Sequence, residues 1–348
     1  VTYDGSSTTG AEIVTANNST GGAAGNGGLT LDNVDTDVAF GIRGGDGNAD
    51  HAVIYDNVNG TDDSASVEFS NSGNADSLTV SNIETLNVSA SGQGNQLTAL
   101  NAGSATTLNV AGDGSLSIAL ANSTVNTSIG ALTTVDASAN AGGVVLGANG
   151  TTVPTTITTF TGGTGDDAVH LSAGNVASDD SFEGGDGNDT VRYNGGTNTD
   201  ASVVSGFETL LVTDTSSYDL SVFTNSDIAD LSLNQVGNGG TISSLADELV
   251  TFLADNNAPT LNAAAADTTI NVALDNRVAD ATDGIDVGGT SFSTNSNVTG
   301  INIFSADPNN ALDLSNDDTN SIDNVNVETV TVDATANTVV TTGTTTES

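Results

Sequence analysis

Two glycine- and aspartate-rich segments, which begin at Gly162 and Gly184, constrain the fold more than any other part of the sequence. Each is nine residues long and follows the pattern G-G-x-G-x-D-x-U-x, in which U is apolar. An apolar residue, Phe160 or Phe182, stands two positions before the first glycine of each segment. Glycines allow the backbone to take positive φ in a tight turn, and the alternating tail is typical of a short strand. The segments therefore predict stacked units of turn and strand.

The turns of both segments offer oxygen atoms to a hard cation. The sixth position supplies a carboxylate, from Asp167 or Asp189, and the glycines expose backbone carbonyls. Ca²⁺ prefers such oxygen ligands, and because one turn is only half a cage, we expect stacked turns to share each ion. The alternative is that these are two ordinary Gly-Asp turns of an acidic protein. The predicted calcium-binding residues are Gly162, Gly163, Gly165, Asp166, Asp167, Gly184, Gly185, Asp186, Gly187 and Asp189.

The strand that ends each segment should alternate between core and solvent. We expect His170 and Arg192 to face the solvent. The residues expected to face the core are Val169, Leu171, Val191 and Tyr193. The first glycines are 22 residues apart (184 − 162), whereas stacked nonapeptides recur about every 18 residues. Residues 175–181 are therefore expected to loop out between the two turns.

An incomplete third copy of the nonapeptide begins at Gly44. Ala49 occupies the position of the sixth-place aspartate, and Asp50 follows one position late. We include Asp46 and Asp50 as candidate calcium ligands.

A second motif, U-E-T-U-x-U, occurs three times, at residues 83–88, 207–212 and 327–332. Its glutamates are 124 and 120 residues apart (208 − 84 and 328 − 208). Three modules of similar length are one interpretation of this spacing. For the glutamates we weigh calcium ligation against hydrogen bonding to turn amides, and we favour the hydrogen bonds.

Short runs rich in β-branched residues recur between glycine- and asparagine-rich turns. With Leu86, Leu108, Leu132 and Ile157 as anchors, the steps are 22, 24 and 25 residues (108 − 86, 132 − 108 and 157 − 132). An imperfect period in this range is typical of solenoids. We therefore predict an all-β fold: a calcium-binding, parallel β-helix or β-roll-like solenoid. A β-sandwich with short strands is the alternative that the spacing leaves open.

One segment, residues 244–256, predicts a short helix. Ser244 and Asp247 form a capping box, and Pro259 would stop the helix. The residues on its apolar face are Leu245, Leu249, Phe252 and Leu253.

We divide the chain into five regions by these patterns. They are an N-terminal β region with the incomplete turn (1–79), solenoid rungs (80–159), the calcium-binding segment (160–215), a β region with the short helix (216–258) and a C-terminal β region (259–348).

The charge of the chain restricts its partners. The 348 residues include 44 acidic and three basic ones, which gives a formal net charge of −41. Nucleic acids and anionic membranes require basic patches, so we predict no nucleic-acid partner. The sequence also contains no apolar run long enough to cross a bilayer, so we predict no membrane insertion. Such a chain repels itself unless cations neutralise it. It contains no Cys, so disulfides and thiolate metal sites are excluded.

The two nonapeptides resemble the repeats of RTX proteins, which Gram-negative bacteria export by type I secretion. The segments Asn82–Ala90 and Gly206–Asp214, mixed with the nonapeptides, resemble RTX-type bacterial surface-layer proteins. The resemblance implies an extracellular protein at the cell surface. In that family, calcium drives the folding of the subunit and its assembly into a lattice over the cell.

We therefore expect a structural protein that assembles with itself, as a surface-layer or sheath-like subunit, into a lattice or filament. A cell-surface polysaccharide is a second candidate partner. The alternative is a calcium-rigidified stalk of an RTX adhesin or biofilm-matrix protein. A third hypothesis is a β-helix enzyme that acts on a neutral glycan through two carboxylates. H-E-x-x-H and G-x-S-x-G are absent, and the two histidines, His51 and His170, are 119 residues apart (170 − 51), so we predict that the protein is not an enzyme.

Overall fold

The computed structural model describes most of the chain. The described residues are 1–7, 11–17, 28–44, 49–73, 76–119, 129–148, 152–172, 174, 176–194, 201–234, 240–253, 259–274, 286–287, 292–305, 311–313, 322–323, 329–334 and 339–341. They form β-strands with short 3-10 helices at Gly5–Ser7, Ala201–Val203 and Leu220–Val222. No helix among them is long and apolar enough to span a membrane.

The strands are numbered in chain order. The first eighteen are β1 Thr2–Asp4, β2 Ile13–Asn17, β3 Thr30–Val34, β4 Ala39–Arg43, β5 Asp50–Tyr55, β6 Ser64–Ser70, β7 Asp76–Val80, β8 Thr85–Ser91, β9 Asn95–Asn101, β10 Thr107–Gly112, β11 Leu116–Ile118, β12 Thr134–Asn140, β13 Val144–Leu146, β14 Thr159–Thr161, β15 Ala168–Ser172, β16 Ser181–Glu183, β17 Thr190–Asn194 and β18 Val204–Ser205. The others are β19 Thr209–Val212, β20 Tyr218–Asp219, β21 Asp230–Leu233, β22 Thr241–Leu245, β23 Leu249–Phe252, β24 Thr260–Ala263, β25 Thr268–Leu274, β26 Asp286–Val287, β27 Phe292–Thr294, β28 Val298–Ser305, β29 Ala311–Asp313, β30 Ile322–Asp323, β31 Thr329–Ala334 and β32 Val339–Thr341.

Unit 1 comprises Val1–Thr190 and Val203–Gly206. Its odd-numbered strands, β1 to β15, lie side by side in one sheet, and its even-numbered strands, β2 to β18, form the other. The chain therefore alternates between two sheets, and each pair of consecutive strands completes one turn of a solenoid. Neighbouring strands pair in parallel wherever their register is defined. The predicted solenoid is confirmed, and the parallel ladders rule out the β-sandwich.

Unit 2 comprises Val191–Ser202 and Phe207–Ser348. Strands β17, β19, β21, β23, β25, β28 and β31 follow one another in one sheet. Strands β20, β22, β24, β27 and β30 form a second sheet, and β26, β29 and β32 form a third. From β25 onwards the chain visits the three sheets in turn, so the repeat of unit 2 changes from two strands to three.

Equivalent core residues of unit 1 lie opposite one another on successive strands. One such row runs through six even-numbered strands, and none of its side chains is more than 1 % exposed. The row consists of Leu86, Leu108, Val135, Phe160, Phe182 and Val204. Each residue packs between like residues of the rungs above and below, which explains why apolar residues recur at this position.

Two of the anchors used to measure the period are not members of this row. Leu132 and Ile157 are buried three residues before Val135 and Phe160, where the chain enters each strand. The steps predicted from those anchors are therefore wrong. Measured along the register, they are 22, 27, 25, 22 and 22 residues (108 − 86, 135 − 108, 160 − 135, 182 − 160 and 204 − 182).

The tails of the nonapeptides have the predicted orientation. The four side chains expected in the core, Val169, Leu171, Val191 and Tyr193, are at most 1 % exposed. His170 and Arg192 are partly exposed. The backbone between the two turns forms no strand at residues 176–180, as expected for a loop. Ser181 already belongs to β16, so this loop is one residue shorter than predicted.

The predicted helix at residues 244–256 is wrong for the part that the structure describes. Thr241–Leu245 is strand β22 and Leu249–Phe252 is strand β23. The apolar residues at helical spacing belong to two strands, which a turn separates. Parallel partners on both sides of each strand satisfy its backbone groups, and this pairing outweighs the local helical pattern.

The core row predicts the cost of a single truncation. Phe160→Ala should remove the contact with Val135 and Phe182 and leave a cavity, which costs about 3–5 kcal/mol in the free energy of unfolding. Thr159→Ala is the control, because Thr159 is an outward-facing neighbour on the same strand and should cost about 0.5 kcal/mol or less. Denaturant unfolding measures both. Equal losses in the two variants would contradict the placement of Phe160.

Candidate metal centre

The two intact nonapeptides form stacked turns within unit 1. We call residues 162–167 and 184–189 the turn stack. The first turn connects β14 to β15, and the second follows β16. The Gly162 N–H donates to the Glu183 carbonyl at 2.8 Å, and the Asp186 N–H donates to the Gly163 carbonyl at 2.9 Å. Backbone hydrogen bonds therefore hold the turns at the spacing of neighbouring strands.

This close spacing explains the glycines of the turn stack. A Cβ atom on Gly162 would lie 1.7 Å from the Gly184 carbonyl oxygen, and one on Gly184 would lie 2.0 Å from the Gly206 carbonyl oxygen. A Cβ on Gly163 would lie 1.8 Å from the Asn140 carbonyl oxygen. These contacts involve backbone atoms, which a side chain cannot displace cheaply. The three remaining glycines, Gly165, Gly185 and Gly187, likewise face backbone atoms at 2.3, 2.4 and 2.7 Å.

The sixth-place aspartates lie inside the turn stack. Asp167 is 2 % exposed and Asp189 is fully buried. The Asp167 carboxylate accepts hydrogen bonds from the Val144 N–H at 2.6 Å and from the Gly163 N–H at 2.7 Å. The Asp189 carboxylate accepts one from the Asp167 N–H at 2.7 Å. Each carboxylate therefore contacts the backbone of the preceding rung.

Burial raises the pKa of the Asp167 carboxyl above its ordinary value, and the negative charge of Asp166 adds to the rise, although the N–H groups of Gly163 and Val144 oppose it. Ionised Asp167 is therefore less stable in the fold than in the unfolded chain. Without a cation, the corresponding stability is fully present below the ordinary pKa of the carboxyl and is lost as pH rises through the raised pKa. At neutral pH, a cation beside Asp167 would offset this cost.

The oxygen atoms around two glycines fit a hard cation. The point that a Cβ of Gly162 would occupy lies 1.7 Å from the Gly184 carbonyl oxygen and 2.6 Å from Asp167 Oδ2. The equivalent point at Gly184 lies 2.0 Å from the Gly206 carbonyl oxygen and 2.7 Å from Asp189 Oδ2. Each repeat thus brings one carboxylate and one carbonyl together, a donor set that suits Ca²⁺.

The remaining ligands of such an ion would come from the backbone and from water. In the described part of the chain, no three His, Cys, Asp or Glu side chains lie close enough to hold a metal together. Calcium commonly takes backbone carbonyls and water beside its carboxylates, so this finding is compatible with the donor set. Asp166 and Asp186 are exposed on the turns, and Asp166 Oδ1 accepts a hydrogen bond from the Asn188 N–H at 3.0 Å.

The incomplete third copy differs from the turn stack. Ala49, at the position of the sixth-place aspartate, is fully buried and brings no carboxylate. Asp50 is exposed at the start of β5, where its Oδ1 accepts a hydrogen bond from Ser77 Oγ at 2.5 Å. Asp46 lies outside the described residues. Calcium binding by Asp46 and Asp50 stays a prediction.

Sequence analysis missed two polar residues at the same corner of unit 1. Asn95 and Asn140 are each 1 % exposed and hydrogen-bond to the backbone of neighbouring turns. Their signal is an asparagine beside two glycines ahead of an alternating run, without the complete nonapeptide.

The motif glutamates are only partly described. Glu84 Oε2 accepts a hydrogen bond from the Asp63 N–H at 2.9 Å, which agrees with the favoured interpretation for this residue. Glu328 lies outside the described residues.

Comparison of the sequence with models of known protein families and with curated proteins finds no match.

The glycine contacts predict the effect of one added methyl group. Gly163→Ala should lower the stability of unit 1 because its Cβ would collide with the Asn140 carbonyl, and we expect a loss of about 1–3 kcal/mol. Gly130→Ala is the matched control, since nothing lies within 4 Å of the added atom. Thermal unfolding measures both variants in one buffer. Equal midpoints for Gly163→Ala and the wild type would contradict the close stacking of the turns.

Proposed function

We propose that the protein is an extracellular structural protein whose solenoid is stabilised by Ca²⁺ and which assembles with itself into a surface-layer or sheath-like array. The observation that carries the proposal is the repeated oxygen pair of the turn stack, which joins a buried carboxylate to a carbonyl of the next turn. When bound, Ca²⁺ supplies positive charge between these oxygen atoms. Asp167 and Asp189 hold it, and the glycines leave the space that it needs.

The charge of the chain supports a link between calcium and assembly. A formal charge of −41 opposes both the compact fold and the approach of a second copy. Because calcium would bind the folded state alone, its binding free energy adds to folding stability. A chain in a low-calcium compartment would remain unfolded and suitable for export, and it would fold and assemble outside the cell.

No catalytic step forms part of this proposal. Asp167 and Asp189 are buried, so they are inaccessible to a glycan. His51 is also buried, and its Nδ1 accepts a hydrogen bond from the Leu29 N–H at 3.3 Å. His170 Nδ1 lies 2.6 Å from the Gly147 carbonyl oxygen. These contacts assign both histidines to the framework of the solenoid.

A calcium-rigidified stalk of an adhesin or biofilm-matrix protein is the second candidate. The parallel solenoid favours it equally, since stacked rungs suit a spacer. The two functions use the same calcium site and differ in whether the chain associates with itself. A cell-surface polysaccharide is a proposed partner in either case.

Removing both carboxylates tests the calcium site. The variant Asp167→Ala/Asp189→Ala should require at least about tenfold more calcium for folding, because each site then lacks its charged ligand. Asp113→Ala is the matched control, since Asp113 is an exposed acid of another turn in unit 1. Circular dichroism during calcium titration gives the midpoints. Identical midpoints for the double variant and the wild type would refute these two sites.

Electron microscopy of the chain in millimolar calcium and in chelator tests assembly. We expect ordered sheets or filaments with calcium and none with chelator, because only the folded, neutralised chain can approach a second copy. A magnesium sample at equal ionic strength is the control for general screening. Single particles under all conditions would reject self-assembly and favour the stalk.

A further inference from the structure

A column of buried polar side chains follows one corner of unit 1, beside the turns that lead into odd-numbered strands. Asn95 and Asn140 are each 1 % exposed, Asp167 is 2 % exposed and Asp189 is fully buried. All four contact the backbone of neighbouring turns, but the first two are neutral amides and the others are carboxylates. This difference decides what each turn needs in order to bind the next.

Asn95 links three turns through its own amide. Its Oδ1 accepts a hydrogen bond from the Ser72 N–H at 3.0 Å, and its Nδ2 donates to the Ser91 and Ser115 carbonyls at 3.1 and 2.9 Å. The side chain therefore accepts from the preceding rung and donates to the following one. Because the amide is neutral, its burial with these partners carries no cost of charge.

Asn140 is also neutral and fully used by the backbone. Its Nδ2 donates to the Gly114 carbonyl at 3.1 Å, and its Oδ1 accepts from the Gly142 N–H at 3.0 Å. A further amide pair connects β8 and β10, where Asn109 Nδ2 donates to Asn87 Oδ1 at 2.8 Å. The rungs between β8 and β13 are thus joined without a buried charge in this column.

Asp167 resembles Asn95 in only one of these contacts. It accepts a hydrogen bond from the preceding rung, from the Val144 N–H at 2.6 Å. An ionised carboxylate cannot donate to the following rung, yet Asp167 Oδ2 and the Gly184 carbonyl oxygen both face the space left by Gly162. Two oxygen atoms that approach one point repel each other unless a cation lies between them. The cation would make the connection that Asn95 makes with its N–H groups.

We propose that unit 1 consists of a calcium-independent block and a calcium-dependent block. The asparagine block comprises residues 85–119 and 129–148, and the aspartate block comprises residues 159–172 and 176–190. The asparagine block folds without calcium and offers the edges of β12 and β13, on which β14 and β15 of the aspartate block then pair. This inference rests on the proposed role of calcium, and it confines that role within unit 1 to one end of the solenoid.

Hydrogen–deuterium exchange of the whole chain, in calcium chloride and in EGTA, tests the division. In EGTA, we expect amides of the aspartate block to exchange at the rate of an unfolded chain, whereas amides of the asparagine block stay protected. Loss of protection in both blocks would overturn the inference while leaving the proposed role of calcium intact. Unchanged protection everywhere would reject calcium-dependent folding itself, and the inference with it.

A charge placed in the asparagine block gives a second test. Asn95→Asp should lose its donations to Ser91 and Ser115, so residues 85–119 should lose protection in EGTA. Asn87→Asp makes the same chemical change but keeps the oxygen that accepts from Asn109, so the block should stay protected. If Asn95→Asp kept wild-type protection in EGTA, the neutral amide would not be what makes this block independent of calcium. Should the variant fail to fold, the wild-type exchange measurement still decides.

Discussion

The spacing of neighbouring strands in a parallel sheet, about 4.8 Å, is the constraint on which unit 1 depends. Strand hydrogen bonds set this spacing, and every turn that connects the strands must repeat at the same distance. Side chains can point away from the stack on a strand, but at the turns the backbone atoms of adjacent rungs face one another. Gly162, Gly163 and Gly184 stand where a Cβ would meet a carbonyl oxygen of an adjacent turn. The glycines thus follow from the stacking itself.

The same stacking brings like charges together. A residue that recurs in a solenoid lies beside its own copy, so the recurring Asp167 and Asp189 concentrate negative charge at one corner. The chain has few basic residues to oppose this charge. Arg43 lies 3.5 Å from Glu68 with both side chains about half exposed, and such surface pairs contribute little. A mobile cation is therefore the better counter-charge, and Asn95 shows the alternative, an uncharged amide at an equivalent place.

Sequence periodicity identified the architecture because parallel stacking repeats one chemical environment in every rung. Apolar alternation, β-branched residues and glycine turns all agree in the two nonapeptides, and the inward positions of Val169 and Val191 followed directly. The prediction failed where two strands lie close in sequence. Leu245 and Leu249 are four residues apart, as on one helix face, but they belong to β22 and β23. Local spacing does not distinguish a helix from two short strands that are joined by a turn.

The sequence by itself determined the all-β solenoid, the turn positions of both nonapeptides and the orientation of their tails, since these depend on local pattern. Tertiary structure alone decided the register, in which Val135 rather than Leu132 lies opposite Leu108, because loops of unequal length shift the strands. It also decided that the carboxylate of Asp167 meets the Val144 N–H of another rung. The two residues are 23 positions apart, and only the completed turn of the solenoid brings them into contact.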